Sequence, residues 1–518
     1  MEEKRRQFVA IEEEKMRQEM PLRAEIMGQA EQVGAALLYT LIHMKMRRMF
    51  MDNNQTPSGS NSQARDDDNN NNNEKNNQQQ GLADPAYFPF WLKRAVMDIP
   101  LVKDTNFTLQ FVLDKLSTPN NSGIILDVSQ LENFETKRIS DELAFMSIIY
   151  RVKFSWKTTS LTAMMNESNK WPNSVILKVP KTNDEFKAKD GEPKMDDTFQ
   201  EYFLDYLAKA HKREIAFYNG YHRLDPSNRF LPKLFYGADY SSQHHEGLII
   251  MEDLSDRACC VPMLPGLSDA QVRAVITALA RMHSTAWTHR TELMSELWKD
   301  GTASECWALE PLFVDSMVEA GNDLAKIEPN AIGPLLCRIL PKFRVENLAE
   351  SFYDEDKYEI IIQGFPACIV HADLWAPNIL WTKNAEGQAS DQLCAIIDWQ
   401  TVHSGNPCED IGRLLALNTT SAYRRANINQ LLAFYAKKVA EFMGGNAPFT
   451  LAQLKKAFVG AMPYVMMFFC FGTTNYCTME SVVGKEGTAK REENRAELFD
   501  RVRSFIEDTE NEFYDQIQ

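Results

Sequence analysis

Ile369-Val370-His371-Ala372-Asp373-Leu374-Trp375-Ala376-Pro377-Asn378-Ile379-Leu380-Trp381 is the stretch on which the reading of this chain turns. An apolar run, residues 367–370, leads into an acid, Asp373, and Asn378 stands five residues beyond it. Further on, Leu393-Cys394-Ala395-Ile396-Ile397 is a second apolar run that ends in an acid, Asp398. Two buried strands that each end in a carboxylate aim both at one rim, and the spacing predicts that the two strands pair. A carboxylate buried there needs a donor or a cation beside it. The plainer alternative is a pair of strand-end caps with no chemistry. An Asp-x4-Asn step alone is common, but joined to His371, the Trp/Pro interior and Asp398-Trp399 it is specific.

Phosphoryl transfer uses such a set. One Asp accepts the proton of the attacking hydroxyl, while an Asn and a second Asp hold Mg²⁺ against the nucleotide phosphates. The protein-kinase catalytic loop has the same five-residue step from Asp to Asn. On this reading Asp373 is the catalytic base, and Asn378 and Asp398 are metal ligands.

Upstream, Ser174-Val175-Ile176-Leu177-Lys178-Val179 is a short apolar strand with one lysine inside it. Taken alone, Lys178 reads as an edge-strand lysine reaching solvent. The helix that follows, roughly Thr198 to Tyr221, changes that. Phe199, Phe203, Leu207, Ala210, Phe217 and Tyr221 make a stripe at helical spacing, and Glu214 lies on it. A carboxylate on a buried face is costly unless paired, and a lysine on the neighbouring strand would pair it. Lys178 would then contact the nucleotide phosphates, with Glu214 setting its position.

Composition sets the outer bounds. The chain has 518 residues, 44% apolar and 25% charged, which suits a globular protein with a large core. Its 72 acidic residues against 56 basic ones give a net charge of −16, which argues against nucleic-acid binding. The nine cysteines form no C-x-x-C pair, so they read as buried reduced thiols rather than a metal site. The N-terminus carries no apolar signal-peptide core, which points to a cytoplasmic protein. The most apolar window, Val459 to Gly472, spans ~14 residues, too short for a bilayer, and reads as a buried helix.

Residues 1–50 suggest a peripheral helical segment available to bind a partner. Residues 51–84 read as a disordered linker, because 15 of the 29 residues at 52–80 are Asn or Gln and Ala64 is the only apolar one. From about Pro85 the pattern is globular. Strand-like runs come first (124–126, 145–154, 175–179, 247–251), and helices follow, from Ser268 to Trp287 and again from Asn427 onward. Strands early and helices late predict an α+β chain split into two lobes, a small β-rich one at 95–252 and a larger helical one at 253–518.

The motif His371-Ala372-Asp373-Leu374-Trp375 with Asn378-Ile379-Leu380-Trp381, followed by Ile397-Asp398-Trp399-Gln400, resembles the choline-kinase and aminoglycoside-phosphotransferase group. Within it the chain is most similar to the nematode and insect CHK kinase-like set, which includes the ecdysteroid-kinase-like proteins. Residues 211–218 (HKREIAFY), 251–254 (MEDL), 279–283 (LARMH) and 405–411 (GNPCEDI) fit the same family. The resemblance covers roughly residues 95–515. It implies a bilobal protein-kinase-like fold, ATP and Mg²⁺ as cofactors, and a small-molecule hydroxyl as phosphate acceptor. It also implies that adenine lies against the linker near Met251–Leu254, which brings in Glu252 and Leu254.

Two departures from the family pattern stand out. No glycine occurs between Gly123 and Gly191, although the nucleotide-covering turn should fall near residues 140–147. Glycine lets backbone amides approach phosphate closely. Ser147 or Ser140 would have to supply a hydroxyl instead, and Asp141 and Glu142 add repulsion. This motivates an alternative, a pseudokinase-type binding module with weak or no ATP turnover. In addition, Ala372 replaces the Arg of the protein-kinase His-Arg-Asp and no Ala-Pro-Glu follows, which argues against a protein kinase.

Four further readings complete the set. His371 is expected to be a hydrogen-bonded scaffold beneath the loop, and His283 a satisfied core residue. Asp410 is expected to cap the helix at Ile411. The rings of Tyr464, Phe468, Phe469, Phe471 and Tyr476 read either as an ordinary buried helix or as a wall for an apolar or cationic acceptor.

Overall fold

The computed structural model describes residues 97, 100–102, 105–117, 128–139, 146–157, 171–181, 197–239, 246–297, 311–343 and 365–513, with the side chains of 197–203, 294, 296 and 311–313 outside that set. The N-terminal segment 1–50, the linker 51–84, the strand-like run at 124–126 and the turn residues 140–145 lie outside the described residues, as do the side chains of Phe199 and Phe203. The described residues fall into two compact units, one drawn from 97–181 and 233–253, the other from 197–232 and 254–513.

The smaller unit is built on one antiparallel sheet. Its strands are β1 (Leu131–Arg138), β2 (Ser147–Trp156), β3 (Ser174–Pro180), β4 (Leu234–Ala238) and β5 (Leu248–Glu252), in the order β1-β2-β3-β5-β4. One face carries Val152, Val175, Leu177, Leu248 and Ile250, all buried with Leu109, Val112 and Leu116 of helix α1 (Leu109–Leu116). Removing each such side chain from water contributes about 1.5–3 kcal/mol. Thr108 caps α1 by accepting a hydrogen bond from Phe111 N. β1 is the strand with the weakest signal in the sequence. Of its eight residues only Leu131 is buried, as suits the edge of a sheet.

The larger unit is mostly helical: α2 (Asp197–Leu224), α3 (Asp269–Thr288), α4 (Arg290–Leu297), α5 (Pro311–Ile327), α6 (Gly333–Ile339), α7 (Cys408–Asn418), α8 (Ser421–Phe442), α9 (Leu451–Tyr476), α10 (Glu480–Val483) and α11 (Ala489–Glu512). Ser268 opens α3 with a capping box to Gln271, as its sequence position suggests. Five short strands interrupt the helices: β6 (Ala258–Cys260), β7 (Cys368–Val370), β8 (Ile379–Lys383), β9 (Ala389–Ile396) and β10 (His403–Gly405).

The two strands expected to pair with each other do not. β7 pairs with β10, while β9 lies beside β8 in a separate three-stranded sheet, β6-β8-β9. The local hairpin wins because β8 and β9 are consecutive and closed by a tight turn at Asn384–Gly387, where Gly387 takes φ 76°.

Helix α9 is also longer than its apolar centre suggests, at 26 residues from the Thr450 capping box to Tyr476. By length and composition it could cross a membrane, but 83% of its most apolar window is buried inside the protein, the setting of a core helix. The cysteines are less uniformly buried than expected. Eight lie among the described residues, all as free thiols, with Cys260 and Cys337 exposed.

Together these elements make an α+β chain with the order of a protein-kinase-like fold: an antiparallel five-stranded sheet, then helices carrying a loop between short strands.

Candidate active site

The site is built from the segment that leaves β7. Val370 ends the strand, and the chain turns at Ala372, a non-glycine residue with φ 66°. Backbone of that kind is costly for an L-residue and persists only where its surroundings hold it. The hold is Asp410. Its carboxylate accepts hydrogen bonds from His371 N (2.8 Å) and Ala372 N (3.0 Å), and the group is fully buried. Asp410 therefore does not cap its helix. It sits within α7, whose N-cap is Pro407 with no side-chain cap bond, and reaches back to fasten the loop. The Pro-Cys-Glu-Asp turn reads as a cap because those backbone partners lie 38 and 39 residues upstream, beyond any local pattern.

His371 is a scaffold, as expected. Its Nδ1 accepts from Asp373 N (3.1 Å), so Nε2 carries the proton and donates to Ile397 O (2.9 Å). Thr401 Oγ1 donates to His371 O (2.7 Å). Asn378 Nδ2 donates to both Asp373 Oδ2 and Asp373 O, each at 2.9 Å. Its own backbone carbonyl accepts from Ile397 N (3.0 Å), at the point where β8 meets β9. Asp373, His371, Ile397 and Asn378 thus close a ring of hydrogen bonds, and Asp398 is the next residue after Ile397. The sequence reading puts Asp373, Asn378 and Asp398 on one rim; the hydrogen bonds join Asn378 to Asp373 and tie both to Ile397, the residue before Asp398, through the end of the β8–β9 hairpin rather than through paired strands.

Asp398 is itself left-handed, at φ 67° and ψ 63°. It opens a short turn, Trp399–Thr401, fastened by aromatic packing. Trp399 is buried, stacks on Phe217 of α2 at 3.9 Å and 13°, and meets the His371 ring edge-on at 4.4 Å. Its indole N–H donates to Ile396 O (3.1 Å). Beside Phe217, the Tyr218 hydroxyl is buried, close to the backbone of Asp398. Burial raises the Tyr218 phenol well above its ordinary range, with the charges of Glu214 and Asp398 adding to the effect.

Because Asn378 Nδ2 is spent on Asp373, its Oδ1 is left to face another partner. An amide oxygen and a carboxylate are the hard oxygen donors that Mg²⁺ takes, so Asn378 and Asp398 fit that ion as a pair. Among the described residues, no group of three or more His, Cys, Asp or Glu side chains gathers to hold a metal.

Two charged or polar groups, Arg413 and His403, escape a sequence reading, whereas Tyr476 belongs to the ring cluster already singled out. Arg413, on α7, is fully buried, donates through Nε and Nη2 to Glu409 Oε1 (3.0 and 2.9 Å), and lies 3.8 Å from the Phe468 ring centre. Burial lowers its pKa, and the Glu409 charge more than offsets this, with Tyr464 and Asp373 contributing. His403 Nε2 stands 3.5 Å from the other Glu409 oxygen. Tyr476 stacks on Trp375 (5.2 Å, 18°), and its phenol is raised by burial and then by the Asp373 charge. The one available signal was Glu409 and Arg413 at i and i+4 on an otherwise apolar helix. Of the ring cluster on α9, Phe468 covers Arg413 and Tyr476 covers Trp375, while Tyr464 and Phe469 are buried. His283 is the core residue expected. Its Nδ1 lies 2.7 Å from Tyr435 Oη, and burial pushes its pKa down to about 3.

The expected nucleotide residues are distributed over both units. Lys178 is not on an edge. It lies on β3, the central strand, buried, with its partners Ile149 and Ile249 on the two sides, and on the face opposite Val175, Leu177 and Val179. Ser147 opens β2 opposite Pro180 and shares that face by register. Glu252 closes β5 and accepts from Lys233 N (3.2 Å). Leu254 belongs to the larger unit and packs with Ala258 and Ala395. Glu214 is buried on α2, which groups with the larger unit because Phe217 and Tyr221 pack there.

Several known proteins are similar to this chain. A family with the description "Uncharacterized oxidoreductase dhs-27" (DUF1679) matches residues 128–517. "Uncharacterized kinase-like protein D1044.1" of Caenorhabditis elegans is 26% identical over 309 residues, which are 59% of this chain and 77% of that protein. "Uncharacterized oxidoreductase dhs-27" of the same organism is 24% identical over 400 residues, 73% of this chain but only 45% of its own length. Among solved structures, choline kinase from Cryptosporidium parvum Iowa II matches with 11% identity and a TM-score of 0.42, covering 79% of this chain and 97% of that one.

Proposed function

The chain belongs to the DUF1679 family, and from that premise and the loop geometry we propose that it is a phosphotransferase moving the γ-phosphate of ATP to a hydroxyl of a small molecule. The observation that carries the reading is the Asn378 side chain bonded to Asp373, inside a ring of hydrogen bonds that ends beside Asp398. Asp373 is assigned as the base that takes the acceptor's proton, and Asn378 holds its carboxylate in place. Asn378 Oδ1 and the Asp398 carboxylate are assigned to Mg²⁺, which when bound neutralises charge on the phosphates. Lys178, Glu214, Ser147, Glu252 and Leu254 keep the nucleotide-binding roles that the resemblance gives them. Most of the rate would come from positioning and charge neutralisation. A cytoplasmic location is part of the same proposal.

The test has two arms. Titrating ATP with Mg²⁺ in a thermal-shift experiment should raise the melting temperature at millimolar nucleotide. A metabolite extract incubated with labelled ATP should yield a labelled small molecule, and Asp373→Asn should abolish that label. A shift with label transferred equally by both proteins would refute Asp373 as base.

A binding module with weak or no turnover is the second reading, favoured by the absence of glycine from residues 124–190. No thermal shift at millimolar ATP would support it. The word oxidoreductase in the relatives' names finds no matching feature here. No two glycines in the chain stand two residues apart, so the G-x-G-x-x-G of dinucleotide folds is absent.

A further inference from the structure

Two hydrogen-bond donors beside the loop of the proposed base are left unused. Arg413 gives Nε and Nη2 to Glu409 Oε1, and among the described residues nothing accepts from its Nη1. The side chain is only 2% exposed. Tyr476 stacks its ring on Trp375, but no described residue bonds to its Oη. Burial raises that phenol, so it is protonated at neutral pH and able to donate. A buried polar group without a partner costs stability, and two at one place call for a partner that the chain itself does not supply.

Packing brings the two together. α7 and α9 lie close where Gly412 meets Val465, since a Cβ at Gly412 would come within 3.1 Å of that side chain. There the Arg413 guanidinium lies 3.8 Å from the ring centre of Phe468 and 5.6 Å from that of Tyr464. Gly472 follows Phe468 by one helical turn, and the Tyr476 ring folds back over it. A Cβ at Gly472 would stand 2.6 Å from that ring and 3.0 Å from Oη, so glycine is what leaves room for the posture. Guanidinium and phenol are thus about one turn apart on one face of α9. The base is adjacent to both. Trp375 N donates to Asp373 O (3.1 Å). α7 is fastened to the same loop on either side of Arg413, by Asp410 to His371 N and Ala372 N and by Asn418 Nδ2 to Leu374 O (3.3 Å). Phe468 is itself only half-buried, so the strip reaches solvent.

We propose that this strip binds the acceptor, and that the acceptor is a hydroxy acid: an apolar body carrying the hydroxyl to be phosphorylated and a carboxylate received by Arg413 Nη1 and Tyr476 Oη. The inference rests on the phosphotransferase reading and narrows its substrate. Both unused groups are donors, so the ligand must bring an oxygen acceptor. A guanidinium favours an anionic one and repels an ammonium group, which sets aside a cationic acceptor for the α9 rings. Glu409 already offsets part of the guanidinium charge, so a singly charged carboxylate suits the site better than a phosphate dianion. Phe468 and Trp375 supply the apolar faces.

A metabolite extract tests this before the acceptor is identified. The extract is divided at pH 7 into fractions held by an anion exchanger, held by a cation exchanger and held by neither. Each is incubated with the full chain, labelled ATP and Mg²⁺. Label should pass to the anion-exchange fraction. It should still do so when that fraction is first treated with phosphatase, later removed, and should fail when its carboxylates are first methylated. Transfer confined to another fraction, abolished by phosphatase or indifferent to methylation overturns the proposal. No transfer to any fraction sinks the phosphotransferase reading itself, and the acceptor assignment with it. Tyr476→Phe and Arg413→Lys then test the two donors. Each should raise the amount of active fraction needed for half-maximal rate about tenfold, the loss of one hydrogen bond to a charged group, and lower the maximal rate far less. An unchanged half-maximal amount with only a lower melting temperature marks a structural side chain and overturns the assignment. Tyr476→Phe loses a single oxygen, so it carries the test even where Arg413→Lys weakens the Glu409 pair enough to unfold the chain.

Discussion

The loop at Ala372 and the turn at Asp398 are both non-glycine backbone at positive φ, 66° and 67°, yet the first is fastened by a carboxylate and the second by rings. Each such residue costs of order 1–3 kcal/mol, so neither conformation survives without support. The two supports differ in kind. Asp410 accepts two directed hydrogen bonds from two named amides, which fixes the backbone next to Asp373 in position and orientation. Phe217, Trp399 and His371 fill volume, which fixes the turn as a body. The difference shows how the fold divides the labour. Asp373, the proposed base, is placed by directed hydrogen bonds, and Asp398, the proposed metal ligand, opens a turn held by packing, with His371 bonded at its two ring nitrogens to Ile397 O and Asp373 N.

The largest effect should come from a change that disturbs neither support. Asp373→Asn keeps the shape of the side chain and an acceptor for Asn378. It should lower phosphoryl transfer by about 10²–10⁴-fold, the range for loss of a general base, with the melting temperature nearly unchanged. A variant that loses activity only because it unfolds would show that Asp373 is part of the support. Next in size is Trp399→Ala, which empties the ring stack and should cost about 3–5 kcal/mol in denaturant unfolding. Asp410→Asn should cost less, about 1–3 kcal/mol, because the amide keeps one acceptor and orphans one of the two backbone donors. If Asp410→Asn proves costlier than Trp399→Ala, the division between a hydrogen-bond-held and a ring-held turn is wrong in its ranking.

Much of this site could be read in the sequence because its spacing is local. Asp373 and Asn378 sit on one loop, Asp398 ends an obvious apolar strand, and Glu214 and Phe217 share a helical stripe. The unreadable parts depend on distant pairing. Lys178 taken alone looked like an edge residue, because nothing in its own strand says that β2 and β5 flank it, and only the Glu214 stripe on the following helix pointed the other way. β7 and β9 looked like partners because each ends near an acid, yet each found a different neighbour. Asp410 looked like a cap because its true partners lie on another segment. β1 stayed hidden because an edge strand with one buried residue has no alternation to read. Arg413 showed only its i, i+4 step from Glu409, whose burial is invisible until the packing around it is known.

The last prediction separates the two supports by pH. Burial pushes the Asp410 carboxyl up to about 7 from 3.8, with the Glu409 charge adding to it and the His371 and Ala372 amides and Arg413 opposing. A raised carboxyl contributes stability that is complete below about pH 4 and is lost as the pH climbs through about 7. His283, whose Nε2 lies 4.0 Å from Asp410 Oδ2, has the opposite sign. Burial lowers it from 6.5 to about 3, so its contribution is complete above 6.5 and is lost as the pH falls toward 3. Each contributes a slope of at most about 1.4 kcal/mol per pH unit, and across pH 4 to 6.5 the two cancel in the wild type. Asp410→Asn removes one of them. Its stability should therefore gain on the wild type as pH rises through that window, whereas the gap between Trp399→Ala and the wild type should stay level. Unfolding free energies of the three proteins measured from pH 4 to 8 decide the matter. A level gap for Asp410→Asn would mean that the two backbone amides keep the carboxylate ionised against its burial, so that the loop carrying Asp373 is held by a full charge throughout and no longer differs from the ring-held turn in its response to protons.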